Sequence, residues 1–310
     1  MITILIKDKV DPFLIEELKE RSFIVKNSPE KQDTLLQEVR ENEILIIRSA
    51  TKVTREVIDA AAETGLLKLI IRAGVGLDNI DFEYARTKGI MVANTPEASS
   101  SAVAELALAH MFVLARKIVV ANLSLREKNW NKKYCQGIEL SGKTLGVLGM
   151  GRIGKSLAHK ASALGMKIIY SDIIGDLNVN PAWKFVSADE LICNADFISL
   201  HIPCNQSGSF LIGKSELKKM KKSAFLINTA RGSLVDENAL IEALDKGEIA
   251  GAGIDVYRQE PCDNIKLLKN DRVSVTPHIG ASTREAQYRI GREILQIIEK
   301  YSNCGIPVRY

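Results

Sequence analysis

Short apolar runs recur along the chain, separated by longer stretches whose apolar residues fall at helical spacing. The runs Ile2–Ile6, Ile44–Ile47, Leu69–Ile71, Thr144–Leu148, Lys167–Tyr170, Phe197–Leu200, Ala224–Asn228, Gly251–Asp255 and Val273–Thr276 predict strands. Between them, Asp11–Glu20, Arg55–Ala62, Ile153–Ala163, Ser215–Lys219 and Glu237–Lys246 predict helices. Gly165 and Gly247, just past two of these helices, are suited to capping their C-termini. Strands alternating with helical segments of this kind predict an α/β architecture with parallel sheets.

The segment Ser99 to Lys117 reads differently. Ser99, Ser100 and Ser101 offer N-caps, and Val103, Leu106, Ala107, His110, Met111 and Leu114 form one apolar face. The opposite face, with Ala104, Leu108, Ala109, Phe112 and Val113, is apolar as well. A helix apolar all round is buried on both sides. It is expected either at an interface between domains or subunits, or at the centre of one core.

Composition narrows the class. The 310 residues carry 42 Lys+Arg against 38 Asp+Glu, with 46% hydrophobic and 26% charged positions. That apolar content excludes a disordered chain, and a net +4 without a basic tail argues against a nucleic-acid binder. The N-terminal run stops at Lys7 and Asp8, so it reads as a strand rather than a signal peptide. Ala102–Val120 is interrupted by Glu105, His110, Arg116 and Lys117, too broken for a membrane span of ~20 apolar residues. Five cysteines at wide, irregular gaps, with no CxxC pair, suggest neither disulfides nor a metal site and fit a cytoplasmic protein.

The strongest local signal is Gly149-Met-Gly-Arg-Ile-Gly154, directly after one apolar run and directly before a helical pattern. Three glycines at this spacing make a tight turn, admit a pyrophosphate to the backbone and let helix and strand pack closely. Asp172 follows at the end of the next predicted strand, 18 residues on. A carboxylate there binds the ribose hydroxyls and repels a 2′-phosphate, so the expected cofactor is NAD. Nearly half the chain precedes the motif and also reads as strands and helices. A separate substrate domain is therefore expected, with the cofactor in the cleft between the two.

Hydride exchange between a 2-hydroxy acid and NAD needs a cation for the carboxylate, an acid/base for the hydroxyl proton, and a partner for that base. Asn228-Thr-Ala-Arg-Gly232, Glu260-Pro261 and Thr276-Pro-His-Ile-Gly-Ala281 supply candidates. These segments, together with the fingerprint, Leu217–Gly232 and Asp255-Val-Tyr-Arg-Gln-Glu-Pro261, resemble the D-isomer-specific 2-hydroxyacid dehydrogenase family across essentially the whole chain. The resemblance implies that Arg231 binds the substrate carboxylate, that His278 is the acid/base and that Glu260 is its partner. It implies cofactor contacts over Gly149, Gly151, Arg152, Ile153, Gly154, Asp172, His201, Pro203, Thr229, Ala230, Asp255, His278 and Gly280. Arg72, Gly74, Val75 and Gly76 match the family's substrate loop, whose amides make an anion-binding nest.

Arg48-Ser-Ala-Thr51, Arg72–Ile80 and the stretch from Asn94 carry the likeness toward members that act on 3-phosphoglycerate, in the phosphorylated route to serine. Arg48 and Arg72 then become candidates for the phosphate, although both also suit structural roles. Glyoxylate and hydroxypyruvate reductases share much of the pattern, and an NAD-sensing corepressor is the alternative from outside catalysis. The expected fold is two doubly wound parallel-sheet domains. A Rossmann NAD domain over 99–283 is inserted into a flavodoxin-like substrate domain over 1–98 plus 284–310. A homodimer acting on a small 2-hydroxy or 2-oxo acid is expected, with no nucleic-acid, membrane or metal partner. The 32 residues after His278 are too few for a further domain of ~50 residues, so a C-terminal regulatory domain is not expected.

Overall fold

A computed structural model describes residues 1–29, 34–203 and 210–304, without the Cys304 side chain. The chain divides into two compact units, one of 1–99 with 281–310 and one of 100–280. Residues 305–310, the end of the expected substrate domain, lie outside the described residues.

The first unit opens with β1 (Thr3–Ile6), α1 (Pro12–Glu20), β2 (Ile24–Asn27), α2 (Leu35–Glu38) and β3 (Ile44–Ile47). It continues through α3 (Arg55–Thr64), β4 (Leu69–Arg72), α4 (Phe82–Thr87) and β5 (Met91–Asn94). The second unit contains α5 (Ser100–Ala115), α6 (Ile118–Arg126), β6 (Thr144–Leu148), α7 (Arg152–Ala163), β7 (Lys167–Ser171) and β8 (Lys184–Phe185). After these come α8 (Ala188–Asn194), β9 (Phe197–Leu200), α9 (Lys214–Lys219), β10 (Phe225–Asn228), α10 (Glu237–Asp245), β11 (Gly251–Ile254), α11 (Ile265–Leu268) and β12 (Val273–Val275). The chain then returns to the first unit as α12 (Arg284–Cys304).

The first unit holds a five-stranded sheet in the order β2-β1-β3-β4-β5, all parallel. Successive strand residues point to opposite faces, and here both faces are apolar. Ile4, Ile6, Ile44, Ile46, Leu69 and Ile71 pack with Ile290, Ile294 and Ile298 of α12. Leu5, Leu45, Ile47 and Ile70 pack with Val57, Ile58 and Ala61 of α3 on the other side. Asp11 caps α1 by accepting the Phe13 N–H at 2.9 Å.

The second unit is a seven-stranded parallel sheet ordered β12-β11-β10-β9-β6-β7-β8. The chain leaves β6 toward β7 and β8, then crosses back to β9 on the other side. That reversal creates the switch point at which doubly wound sheets take their ligands. Leu145, Val147, Phe197 and Ile227 pack under α5 and α7, while Leu148, Ile198, Leu226 and Ile254 pack under α8 to α10.

Three strands were not anticipated from the sequence. All are edge strands: β2 is mostly exposed, β5 is part-exposed, and β8 has two residues. An edge strand has less apolar surface to bury, so its run is short and its signal weak. Gly165 and Gly247 sit one residue past the caps of α7 and α10, with φ of +82° and +67°. The apolar α5 packs against α7, β10 and β11, but Glu105, Ala109 and Phe112 are exposed, so the expected burial on both sides does not hold: one face is buried and the other meets the surface. More exposed apolar surface follows on α6, which buries nothing and presents Ile118, Val119, Leu123 and Leu125. Among the described residues, no helix is long and apolar enough to cross a membrane.

At the end of β1, Lys7 is 2% exposed and gives Nζ–H to Glu38 Oε2 at 2.7 Å and to Thr34 Oγ1 at 3.2 Å. Burial pushes the Glu38 carboxyl up, but hydrogen bonds from Lys7, Thr34 and Ser28 outweigh it and hold it below its usual 4.5. Its stabilisation is therefore present above that range and lost as pH falls through it. Lys7→Met, which removes the buried cation and leaves Glu38 with Ser28, Thr34 and the more exposed Lys26 at 3.7 Å, is expected to lower stability by about 3 kcal/mol near neutral pH. Urea unfolding at pH 7 and pH 4 should show the deficit shrinking in acid, as Glu38 takes up a proton.

Candidate active site

The site in the second unit is built from loops at the C-terminal ends of β6, β7, β9, β10 and β11, joined by the turn after β12. The fingerprint follows β6. Gly149 has φ +93°, and an added Cβ would come within 2.6 Å of the His201 carbonyl oxygen after β9. Gly154, in the first turn of α7, would place a Cβ 2.2 Å from the Gly149 oxygen. Gly151, at the N-cap of α7, has nothing within 4 Å of that position. Two glycines thus close the turn, while the middle one leaves an open cradle beside helix N–H groups. Arg152 and Ile153 occupy the first turn of α7.

Asp172, past the end of β7, accepts the Met150 N–H at 2.8 Å through Oδ2 and the Ile174 N–H at 3.1 Å through Oδ1. The carboxylate expected at a ribose therefore also ties the fingerprint loop to the neighbouring strand. Ile173 and Ile174 beside it are exposed, two apolar neighbours that sequence reasoning did not single out.

Past β9, the His201 amide donates to Leu148 O at 2.8 Å, and Nε2 lies 2.9 Å from Ser199 Oγ. Burial pushes the imidazole down to about 4, so it is neutral near pH 7. Its Nδ1 is buried without a partner among the described residues, as is Oγ1 of Thr229 past β10. Pro203 follows at an exposed position. A buried polar atom without a partner is costly, so such groups mark where a ligand completes the hydrogen bonding. The open cradle and these two atoms, all at strand ends around the switch point, fit a dinucleotide.

The loop after β10 is tightly set. Asn228 accepts the Ala230 N–H at 3.1 Å and donates to Arg231 O at 2.8 Å. A Cβ on Gly232 would fall 1.9 Å from the Tyr257 carbonyl carbon, so backbone packs on backbone here. The Arg231 guanidinium gives an N–H to Ala230 O at 2.6 Å, and its charge helps hold the Glu260 carboxyl low. Burial alone would push Glu260 up. The His278 hydrogen bond and charge, the Tyr257 N–H and Arg231 together outweigh it.

His278 follows β12 with φ +53°, a left-handed conformation uncommon outside glycine. Its Nδ1 lies 2.7 Å from Glu260 Oε2, while Glu260 Oε1 accepts the Tyr257 N–H at 3.1 Å. Asp255, fully buried, secures the turn. Its carbonyl accepts the His278 N–H at 2.8 Å, Oδ1 accepts that of Ile279 at 2.8 Å, and Oδ2 accepts that of Gly280 at 2.9 Å. Tyr257 donates its hydroxyl to Thr276 O at 2.9 Å, and burial pushes its phenol up to about 12. Tyr257, Thr276, Ser274 and His110 were not anticipated as supports, because their relation to the turn exists only in the folded sheet.

The remaining predicted residues belong to the first unit. Arg72 and Asn94 are register partners on β4 and β5, and Asn94 donates to Val75 O at 2.5 Å. Gly74, with φ +150°, lies under the Arg72 guanidinium, where a Cβ would overlap Nη1. The expected nest needs one correction. Gly74 gives its N–H to Arg72 O at 2.9 Å, which leaves only the Val75 and Gly76 amides of the three for an anion. Arg48, past β3, has its amide bound by Asp8 and its guanidinium 3.2 Å from Lys9 O, with burial pushing its pKa below the ordinary value.

A glycine cradle opening a helix at the switch point of a parallel sheet, with a His–carboxylate pair and an arginine on adjoining loops, defines a dinucleotide-dependent dehydrogenase. Residues 108–280 match the family profile described as D-isomer specific 2-hydroxyacid dehydrogenase, NAD binding domain. The chain is 47% identical to a hydroxypyruvate reductase of Thermotoga maritima, over 87% of this chain and 88% of that protein. It is 43% identical to a D-3-phosphoglycerate dehydrogenase of Methanocaldococcus jannaschii, over 97% of this chain but 57% of that protein. The structure of a glyoxylate reductase from Paecilomyes thermophila superposes with a TM-score of 0.89 at 33% identity, covering 99% of this chain and 97% of that one. The chain belongs to the D-isomer specific 2-hydroxyacid dehydrogenase family, whose members are NAD-dependent oxidoreductases. It spans little more than half the length of its curated 3-phosphoglycerate dehydrogenase relatives.

The glycine geometry separates folding from binding. Gly151→Ala is expected to unfold at the wild-type temperature yet bind NADH at least ~10-fold more weakly, because its methyl enters the pyrophosphate cradle. Gly154→Ala, which drives a methyl into the Gly149 carbonyl, is expected to lose about 1–3 kcal/mol of stability. Thermal melts and NADH fluorescence titrations of both variants check the contrast.

Proposed function

We propose that the protein is an NAD-dependent D-3-phosphoglycerate dehydrogenase, interconverting 3-phosphoglycerate and 3-phosphohydroxypyruvate at the head of a phosphorylated route to serine. The observation that carries the chemistry is the 2.7 Å contact between His278 Nδ1 and Glu260 Oε2. The carboxylate takes the Nδ1 proton as hydrogen-bond partner, which leaves Nε2 as the nitrogen that exchanges a proton with substrate. In oxidation, Nε2 removes the C2 hydroxyl proton; in reduction it returns one to the carbonyl oxygen. Glu260 steadies the imidazolium in between. Arg231 offers a planar fork to the substrate carboxylate, a bidentate match that a lysine does not provide. Bound NAD supplies the acceptor for the hydride that leaves C2.

A phosphorylated substrate needs further cations. Arg48 and Arg72, at the C-terminal ends of β3 and β4, supply them in this reading, with the Val75 and Gly76 amides. The relatives named D-3-phosphoglycerate dehydrogenase support it. A second reading, hydroxypyruvate reductase, is favoured by the Thermotoga maritima relative, which the alignment covers nearly end to end. The same proposal includes a homodimer in which a second copy covers the apolar face of α6. It also includes a reducing, cytoplasmic setting, which the free thiols of Cys135, Cys193 and Cys262 fit.

A substrate panel read at the nicotinamide absorbance tests the reading. Turnover is expected with 3-phosphoglycerate and NAD, and little with NADP. Activity on hydroxypyruvate or glyoxylate, with none on phosphohydroxypyruvate, would assign the protein to the reductases. His278→Asn is expected to lower kcat by about 10²–10⁴-fold while NADH binding persists. For the assembly, light scattering is expected to report a dimer, and Leu123→Glu a monomer; a monomeric wild type would refute the pairing.

A further inference from the structure

His110 sits on α5, only 2% exposed, and has no part in the chemistry proposed above. Both ring nitrogens are engaged, Nδ1 at 2.8 Å from Ser274 Oγ and Nε2 at 3.1 Å from Thr276 Oγ1. Burial pushes its pKa below the ordinary value against the pull of the Asp255 charge, so the ring is neutral near pH 7 and carries one proton. The position of that proton follows from the neighbours. The Thr276 hydroxyl gives its hydrogen to Asp255 Oδ1 at 2.6 Å, so its oxygen faces His110 as an acceptor. The imidazole proton is therefore on Nε2, and Nδ1 accepts from Ser274.

The sheet is shaped for this ring. A Cβ on Gly253 of β11 would come within 2.6 Å of His110 Cβ, and one on Gly251 within 3.3 Å of Leu114 Cδ2. Two glycines on one strand thus let α5 settle close enough for His110 to reach β12. Val103, earlier on the same helix, packs against Gly280.

We propose that His110 is a positioning residue: acting through Thr276 and Asp255, it holds the left-handed turn at His278 so that Nδ1 meets Glu260. The argument rests on the proposed role of His278 as the acid/base. A non-glycine residue keeps a positive φ only where its surroundings hold it there. Three successive amides, of His278, Ile279 and Gly280, end on Asp255. The orientation of the Asp255 carboxylate is in turn shared with Thr276, whose hydroxyl is held from one side by Asp255 and from the other by His110. An apolar filler at position 110 would occupy the same space and leave that hydroxyl with the Asp255 bond alone, its oxygen no longer fixed from the helix side.

The test uses the full-length chain with His110→Leu, His110→Gln and Thr276→Val, alone and with Leu and Val combined. Glutamine keeps an N–H donor for Thr276, whereas leucine keeps none. His110→Leu is expected to lower kcat about tenfold, since small misplacements of a reacting group are costly. KM and NADH affinity should stay within about threefold, because binding is not what is lost. His110→Gln should recover most of kcat, and the double variant should be no worse than its worse single variant, as residues acting in one chain are not additive. Amide hydrogen exchange over 277–280 should accelerate in the leucine variant and return to wild-type rates in the glutamine variant. Unchanged exchange with leucine, losses that multiply in the double variant, or glutamine no better than leucine would each overturn the proposal. If His110→Leu does not fold, exchange in Thr276→Val decides alone, faster supporting and unchanged refuting. Absence of wild-type turnover across the substrate panel would sink the dehydrogenase reading, while the exchange comparison would still decide the role of His110.

Discussion

The fully buried carboxylate of Asp255 is the point on which the geometry of the second unit turns. It accepts two consecutive backbone N–H groups and a threonine hydroxyl, while its own carbonyl accepts a third amide. A charge withdrawn from water is tolerable only when hydrogen bonds replace its hydration. Here the replacements come from the very turn that carries His278, so satisfying the charge and shaping the turn are the same event. The left-handed backbone at His278 follows from that demand rather than from any preference of histidine.

The parallel sheet explains why so few residues suffice. In β6, β9, β10, β11 and β12 all strands run the same way, so every loop that follows them emerges at one edge. Groups distant in sequence, from Gly149 to His278, are brought there without any long connection. Close packing then supplies the precision. Gly232 lies against the backbone at Tyr257, and Gly149 lies against that at His201. Backbone atoms set the limit at both, with the Ile202 side chain also 2.6 Å from a Cβ at Gly149. Electrostatics point the same way, since Arg231 and His278 both favour the ionised form of Glu260 against the cost of its burial.

Much of this was legible in the chain, and what was not shares a physical cause. Interior strands such as Ile44–Ile47 and Phe197–Leu200 announced themselves because a strand covered on both faces is apolar throughout. Edge strands such as Ile24–Asn27 did not, because one side meets water. The glycine fingerprint was readable because Gly149 and Gly154 answer local steric demands at a fixed spacing around the open position of Gly151. The apolar helix at 100–115 was readable as buried on one face, but composition does not say what covers it, and Ala109 and Phe112 on its other face stand exposed beside the apolar residues of α6. The nest at Gly74–Gly76 was read from the resemblance to the family's substrate loop, whereas the fate of the Gly74 amide depends on the path of the chain around Arg72. The His110–Thr276–Asp255 chain joins residues 166 and 21 positions apart, and no local pattern encodes it.

The return of the chain through α12 has a consequence in time. One face of the five-stranded sheet is covered by Ile290, Ile294, Leu295, Ile297 and Ile298, although its strands are complete by Asn94. As the polypeptide emerges from the ribosome, that face has only α1, through Leu14 and Leu18, over it until nearly two hundred further residues have been made. The intervening unit, continuous over 100–280, is complete in the chain sooner. Domains generally fold as units while synthesis proceeds. In this chain the unit that begins first finishes last, and during that interval its exposed isoleucine-rich strands are the surface most in need of protection from aggregation.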